Sequence, residues 1–321
     1  MISQENEKQT LSIILPIFEE AEHINHSVDV IRETLNKIDI SIEFILVDDG
    51  SSDNTWHEIK RLADDNKDIR SLSFSRNFGK ECAIAAGLEH AKGDVAIILD
   101  ADLQHPPNII PEMIALWRND EVKIVNAVKS YRGRESIIQK TTTKAFYKVY
   151  KTLSGVDLRG ASDFKLLDRD VIDSYNGFNE NGLFFRGLVP WLGFKTDTIT
   201  FDVQDRVAGS SKWTGLTRLI LAVNSITSFS DIPLQIVTFI GVIFCAFSVL
   251  FGGQTIVMWL SGHAIEGFTT IILLLLIIGS VLMLSLGIIG QYISKIYREI
   301  KLRPLYVLKS KAGFDNENNN T

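Results

Sequence analysis

Short runs rich in Ile, Leu, Val and Phe recur through the first half of the chain, at residues 11–15, 43–47, 70–74, 95–99 and 123–128. Between the first two, Ile24, Val28, Ile31 and Leu35 follow one another at three- and four-residue spacing, the stripe of an amphipathic helix. Residues 79–91 and 108–117 carry further helical patterns. Strands alternating with helices predict an α/β fold with a mostly parallel sheet covered on both faces. In such sheets ligands bind beyond the carboxyl ends of the strands. Polar chemistry is therefore expected directly after the strands, and residues 16–20, 48–53 and 100–104 follow the first, second and fourth runs.

The pattern changes at Asp231. No Asp, Glu, Lys or Arg occurs between Asp231 and Glu266, nor between Glu266 and Lys295. Residues 232–253 hold 13 Leu, Ile, Val or Phe, and residues 268–290 hold 15. A bilayer core takes about 20 apolar residues as helix. At about −0.4 kcal/mol for each such residue, the favourable term reaches roughly −5 to −6 kcal/mol per run. Two transmembrane helices are predicted, at 232–257 and 267–291. Buried core helices are the alternative, but a soluble helix of this length keeps a polar face.

The stretch between the two runs has no Lys or Arg, whereas Lys295, Arg298, Lys301, Arg303, Lys309 and Lys311 follow the second. The positive-inside rule then places both the basic tail, 292–321, and the large domain, 1–211, in the cytoplasm. The opening MISQENEKQT lacks the basic and apolar regions of a signal peptide, which agrees with that side. The expectation is a multi-pass protein of the cytoplasmic (inner) membrane with both termini in the cytoplasm. Within 212–231, Trp213, Leu216, Leu219, Ile220, Val223 and Ile226 recur at helical spacing beside Lys212 and Arg218. That suits an amphipathic juxtamembrane helix in the interface, or a helix packed on the first domain. The final DNENNNT is expected to be disordered.

The 321 residues suffice for one α/β domain plus these spans. A net charge of −6 gives no reason to expect nucleic-acid binding. Cys82 and Cys245 are far apart and Cys245 lies in an apolar run, so a reducing compartment is the simpler reading.

The chemistry is carried by the loops. In IILDADLQHPP, Asp100 and Asp102 stand at the end of an apolar strand with no adjacent Lys or Arg. Their mutual repulsion would be relieved by a divalent cation, and Mg²⁺ typically takes one or two carboxylates and completes its shell with water and substrate phosphates. Two solvated loop carboxylates are the bland alternative. In ILVDDGSSDNT, Asp48 and Asp49 end a strand, Gly50 permits a tight turn and Asp53 can cap the next helix. A strand–turn–helix connection alone would explain the same residues. LPIFEEAE supplies Pro16, Phe18 and Glu20; the aromatic could lie against a base, and capping by Glu19 or Glu20 explains the acids as well. Lys80 could decorate a helix start, and His105 reads as a loop residue more than a ligand. GKE at residues 79–81 lacks the Ser or Thr that a P-loop places after its Lys.

Taken as an ordered set, LPIFEEAE, VDDGSSDNT, SRNFGKECAIAAGL, DADLQHPP, RGASDFKLLDR and QDRVAGSSKW resemble the family 2 inverting glycosyltransferases. Within them the chain is similar to the polyprenyl-phosphate group, which includes bactoprenol glucosyltransferases and dolichyl-phosphate mannosyltransferases. The resemblance implies a GT-A (Rossmann-like) domain using Mg²⁺ or Mn²⁺ held by Asp100 and Asp102, with Gln104 near the sugar diphosphate. Pro16, Phe18, Glu20, Asp48 and Asp49 match nucleotide-binding positions, either aspartate being the one at the base. Asp163 matches the acidic position near the reacting centre, with a turn residue as the alternative. Arg206 and Lys212 match a mobile basic loop over the phosphates, with solvated charges as the alternative. Asp163, Asp102 and Arg206 would then be the catalytic set.

The resemblance further implies a nucleotide-sugar donor, a polyprenyl (undecaprenyl) phosphate acceptor taken from membrane lipid, and a homo-oligomer, with a tetramer as one form. UDP-glucose is the preferred donor because the two-span layout is similar to the bactoprenol glucosyltransferases. GDP-mannose, an amino-sugar or a modified pentose would use the same sites. A non-catalytic scaffold or lipid transporter would be favoured by a broken acidic set, but Asp100, Asp102 and Asp163 are all present. FFRGLVPWLGF does not match the Gln-x-x-Arg-Trp signature of processive synthases, which implies one transfer per acceptor.

Overall fold

The computed structural model describes residues 8–118, 121–129, 162–178, 180, 184–201, 232–261 and 267–314. Arg206, Lys212, the 212–231 helix and the terminal DNENNNT lie outside the described residues. The chain divides into two compact units, one built from residues 1–151, 156–211 and 304–321, the other from 152–155 and 212–303.

The first unit alternates strand and helix. Strands β1 (Thr10–Ile17), β2 (Ser41–Asp48), β3 (Ile69–Phe74) and β4 (Val95–Ile98) are separated by helices α1 (Ile24–Leu35), α2 (Thr55–Asp65) and α3 (Lys80–His90). A one-turn 3₁₀ segment at Pro107–Ile109 leads into α4 (Ile110–Trp117). There follow β5 (Ile124–Lys129), β6 (Lys165–Asp168), α5 (Arg169–Asn176), α6 (Phe185–Trp191) and β7 (Thr196–Phe201). Residues 11–15 of β1 are all buried although side chains alternate between faces, as in a central strand with helices on both sides. On α1 the buried positions are Ile24, Ser27, Val28, Ile31 and Leu35, the stripe expected from the sequence.

Together with β8 (Leu308–Ala312), the strands form one sheet in the order β7-β5-β6-β4-β1-β2-β3-β8. Pairs β1–β2, β1–β4, β2–β3 and β5–β7 are parallel, and β4–β6, β5–β6 and β3–β8 antiparallel. The sheet is therefore mixed, and its parallel centre, β4-β1-β2-β3, carries the acidic loops at its carboxyl edge.

The edge strand β8 (Leu308–Ala312) comes from the segment read as a basic tail. It pairs antiparallel with β3, and Lys309 and Lys311 occupy its exposed positions, charges that oppose pairing with another sheet edge. Ahead of it, the Tyr306 ring stacks on Phe74 at 4.8 Å, its hydroxyl bonds Glu89 of α3, and the Leu305 carbonyl accepts from Cys82 Sγ at 3.4 Å. The end of the chain thus braces α3.

In the second unit, helices α7 (Ile232–Leu260) and α8 (Phe268–Ile300) run for 29 and 33 residues. Segments within them, Leu234–Met258 and Ile277–Ile300, are long and apolar enough to cross a membrane. Leu250 and Met283 are more than 70% exposed, a display of large apolar groups that water disfavours. Helix α8 continues to Ile300, past the expected end at residue 291.

Candidate active site

The carboxyl ends of β1, β2 and β4 open on a cleft of about 200 Å³. Pro16 lines it from the end of β1, Phe18 and Glu20 from the loop that follows, Asp49 from the loop after β2, Asp100 and Asp102 from the loop after β4, and Lys80 and Ala83 from α3. Backbone hydrogen bonds lace the loops together. The amide of Glu19 donates to Ser51 Oγ and that of Glu20 to Thr55 Oγ1, while Ser27 Oγ donates to the Ala101 carbonyl. Gly50 has φ +70°, and a Cβ there would lie 2.3 Å from the Arg76 carbonyl carbon. Only glycine lets the β2 and β3 loops approach so closely.

Glu19 and Leu103 both have φ 55°. A left-handed conformation costs a non-glycine residue about 1–2 kcal/mol. Each sits beside a cleft residue, so the surrounding packing holds strained backbone where Glu20 and Asp102 are displayed.

The two adjacent aspartates of VDDG divide their work. Asp48 is 1% exposed, accepts from the Ser51 amide at 2.9 Å and the Ser73 hydroxyl at 2.7 Å, and lies behind the cleft. Asp49 faces the cleft and accepts from the Phe78 and Gly79 amides at 2.7 and 2.9 Å. Burial raises its pKa and those amides oppose the rise. Asp53 accepts from both the amide and the hydroxyl of Thr55, at the start of α2.

Asp100 and Asp163 are joined by one ammonium group. Lys80 Nζ lies 2.5 Å from Asp100 Oδ1 and 2.8 Å from Asp163 Oδ2. Burial works against the Lys80 charge, but the two carboxylates raise its pKa. Asp163 also receives both arms of Arg186, Nε at 2.6 Å and Nη2 at 2.7 Å. Burial alone would raise the pKa of Asp163; the Arg186 fork and Lys80 more than reverse this and hold the carboxyl well below the usual carboxylate range. Burial followed by the charges of Asp102, Asp53 and Asp100 raises the pKa of Glu20.

Asp102 is exposed, and its Oδ1 accepts from the Gln104 amide at 3.0 Å. Gln104 is exposed on the same loop. His105 is buried, packs its ring on Phe164 at 5.0 Å and has Nδ1 3.4 Å from the Asp100 amide. Burial lowers its pKa, against the charge of Asp100, and the ring supports the loop from beneath.

The geometry thus gathers Pro16, Phe18, Glu20, Asp49, Asp100 and Asp102 around one cleft, links Asp163 to it through Lys80, leaves Gln104 beside it and sets Asp48 behind it. Lys80, which the sequence allowed as helix decoration, reaches the centre of the acidic cluster. Arg186 lies in FFRGLVPWLGF, where no local motif marks it, and its partner is 23 residues away. Lys165, 1% exposed and bonded to Asn126, forms a buried cation near Asp163; burial lowers its pKa to about 8.

The pattern of "Glycosyl transferase family 2" matches residues 12–175. The chain belongs to that family. Similar proteins also match it along nearly its whole length. A bactoprenol glucosyl transferase of Shigella phage SfII is 36% identical over 301 residues, 93% of this chain and 97% of that protein. An uncharacterized glycosyltransferase of Synechocystis is 34% identical over 307 residues, 95% and 96% of the two chains. Among solved structures, glucosyl-3-phosphoglycerate synthase of Mycobacterium tuberculosis in complex with Mn²⁺ and UDP-glucose covers 70% of this chain and 80% of its own, at 18% identity and a TM-score of 0.48.

Proposed function

We propose that this family 2 glycosyltransferase moves one hexose, glucose from UDP-glucose, onto a polyprenyl phosphate at the cytoplasmic leaflet, with inversion at the anomeric carbon. The observation that carries the reading is the near full-length similarity to a bactoprenol glucosyl transferase, whose 301 matched residues reach well beyond the catalytic pattern. The apolar length of α7 and α8 supports an enzyme held where a lipid acceptor resides.

In this reading the nucleotide lies over the carboxyl ends of β1 and β2. Phe18, 44% exposed, offers a face to the base, and Asp49 is the cleft-facing aspartate available to it. Asp100 and Asp102 suit a hard divalent cation, Mg²⁺ or Mn²⁺. Lys80 Nζ on Asp100 shows that positive charge is stabilised there. Two carboxylates suffice for such an ion, which completes its shell with water and substrate phosphate. When bound, that ion would neutralise the diphosphate and make it a better leaving group.

Transfer requires an oxygen of the lipid phosphate to attack the anomeric carbon from the side opposite the diphosphate. A phosphate monoester has its second pKa near 6, so the nucleophile needs no general base. Asp163 matches this requirement. With its pKa held low it is a poor proton acceptor, and as a fixed anion between Arg186 and Lys80 it orients those cations and the sugar beside them. Arg206 and Lys212, which the family resemblance puts over the phosphates, would offset repulsion between the anionic donor and acceptor.

The test uses detergent-purified full-length protein, a short-chain polyprenyl phosphate and a panel of labelled UDP- and GDP-sugars, with and without Mn²⁺ or Mg²⁺. Metal-dependent turnover of UDP-glucose to a lipid-phosphate product of opposite anomeric configuration is expected. Transfer from GDP-mannose or a UDP-amino-sugar instead would overturn the donor assignment, and no transfer from any donor would overturn the reading.

A further inference from the structure

Glu81 is not part of the cleft's lining, yet it ties α3 to α6. Its Oε2 accepts the backbone N–H of Phe185 at 2.8 Å, across 104 residues of sequence. Phe185 is the first residue of α6, and Phe184 before it makes no side-chain capping bond. The first amides of a helix have no partner within it, and here a carboxylate from another element meets one of them.

The next residue, Arg186, is the one that forks onto Asp163. The residue before Glu81 is Lys80, which reaches Asp163 from α3. Two consecutive residues of α3 therefore engage two consecutive residues of α6, with Asp163 shared between Lys80 and Arg186. The direction in which a helical side chain leaves is set by its position along the backbone. Anchoring the amide just before Arg186 thus fixes where its guanidinium begins. Helix α6 has only seven residues and contains Pro190, so its own hydrogen bonds define its start weakly.

The setting of the anchor is apolar: the Phe185 and Tyr175 rings meet edge to face with centroids 5.7 Å apart. Burial pushes the Glu81 carboxyl up to about 7, against the pull of the Phe185 amide. A carboxylate withdrawn from water in this way and bonded to one backbone amide is placed for geometry and not for solubility.

We propose that Glu81 is a positioning residue for sugar transfer: it anchors the start of α6 so that Arg186 holds Asp163 in its working orientation. The proposal rests on the transferase reading above, and its test separates the two. Full-length protein in detergent would be assayed with labelled UDP-glucose, a short-chain polyprenyl phosphate and Mn²⁺, alongside hydrogen–deuterium exchange at the Phe185 amide.

Glu81→Ala is expected to lower kcat about tenfold or more, the loss of about 1.4 kcal/mol that one hydrogen bond to a charged group can carry, with donor KM changed less than about twofold. Exchange at Phe185 should quicken. Glu81→Gln, which keeps an oxygen acceptor, should rescue most of the lost rate and restore protection. In an Arg186→Ala background, Glu81→Ala should add little, because both changes act through one interaction. An unchanged kcat in Glu81→Ala, full additivity with Arg186→Ala, or no rescue by Gln would overturn the proposal. Should Glu81→Ala not fold, Glu81→Asp, one methylene too short to reach the amide, replaces it. A wild-type chain that transfers no sugar would refute the transferase reading instead, and exchange at Phe185 would then decide the anchor by itself.

Discussion

Arg186 meets Asp163 through two parallel hydrogen bonds, Nε to Oδ1 at 2.6 Å and Nη2 to Oδ2 at 2.7 Å. This bidentate geometry is the strongest form of a charge-assisted pair, and the carboxylate in it is only 5% exposed. Breaking a buried pair from one side leaves an unpaired charge, which costs about 3–5 kcal/mol.

Asp163→Asn should therefore lower kcat by about 10²–10³, the scale seen when one preorganised electrostatic contact is removed, while donor binding changes less. Steady-state kinetics in donor concentration would show the split, and an unchanged kcat would remove Asp163 from the site. Because its pKa is depressed, Asp163 stays ionised through and below the ordinary carboxylate range. It contributes stability above about pH 4, and that contribution is lost as pH falls below it. No acid limb in the activity profile between about pH 5 and pH 8 should trace to Asp163.

Lys80→Met should act differently. The ammonium is the only described cation bonded to both Asp100 and Asp163. Removing it leaves the acidic cluster more negative, so Mn²⁺ should bind the donor-free protein about tenfold more tightly, a change of about 1.4 kcal/mol. Turnover should nevertheless fall, since Asp163 loses one of its two cations. Paramagnetic titration of Mn²⁺ without donor checks this; weaker binding in the variant would show that Lys80 does not oppose the metal.

Asp102→Asn should reduce turnover by at least about 10² while leaving the fold and detergent behaviour unchanged, because its side chain is exposed and bonded only to a neighbouring amide among the described residues. Chelation should stop the wild-type reaction reversibly. Full activity in the variant, or in metal-stripped protein, would refute the metal assignment.

How much of this was legible in the sequence depends on the range of each interaction. The central strands and α1 declare themselves through local periodicity, and the acidic loops through their place after those strands. The division between Asp48 and Asp49 follows from the same rule, since successive side chains leave a strand on opposite faces. Strand β8 was hidden because LKSKA has two lysines in five residues and follows a long apolar helix; only pairing with β3 makes it a strand. The Arg186–Asp163 fork and the Glu81–Phe185 bond span 23 and 104 residues. No local pattern encodes such contacts, so the sequence offers the acids of the cleft as candidates through their place after the strands, while the partners that Lys80, Glu81 and Arg186 take emerge only from the fold.

The same Glu81 offers a measurement of stability that is independent of any substrate. Its folded pKa of about 7 lies above the ordinary 4.5, so the folded state resists ionising it. The sign follows directly: stability is fully present below about pH 4.5, declines as the unfolded chain ionises, and levels off once pH passes the folded value near 7. Glutamine cannot ionise yet still accepts from Phe185, so Glu81→Gln should escape the decline. At pH 8 the variant should melt about 2 °C or more above the wild type, taking about 2–4 °C per kcal/mol for a domain of this size. At pH 4.5 the two should melt together. A wild-type advantage at pH 8 would mean that the ionised carboxylate gains more from the Phe185 amide than it loses to burial.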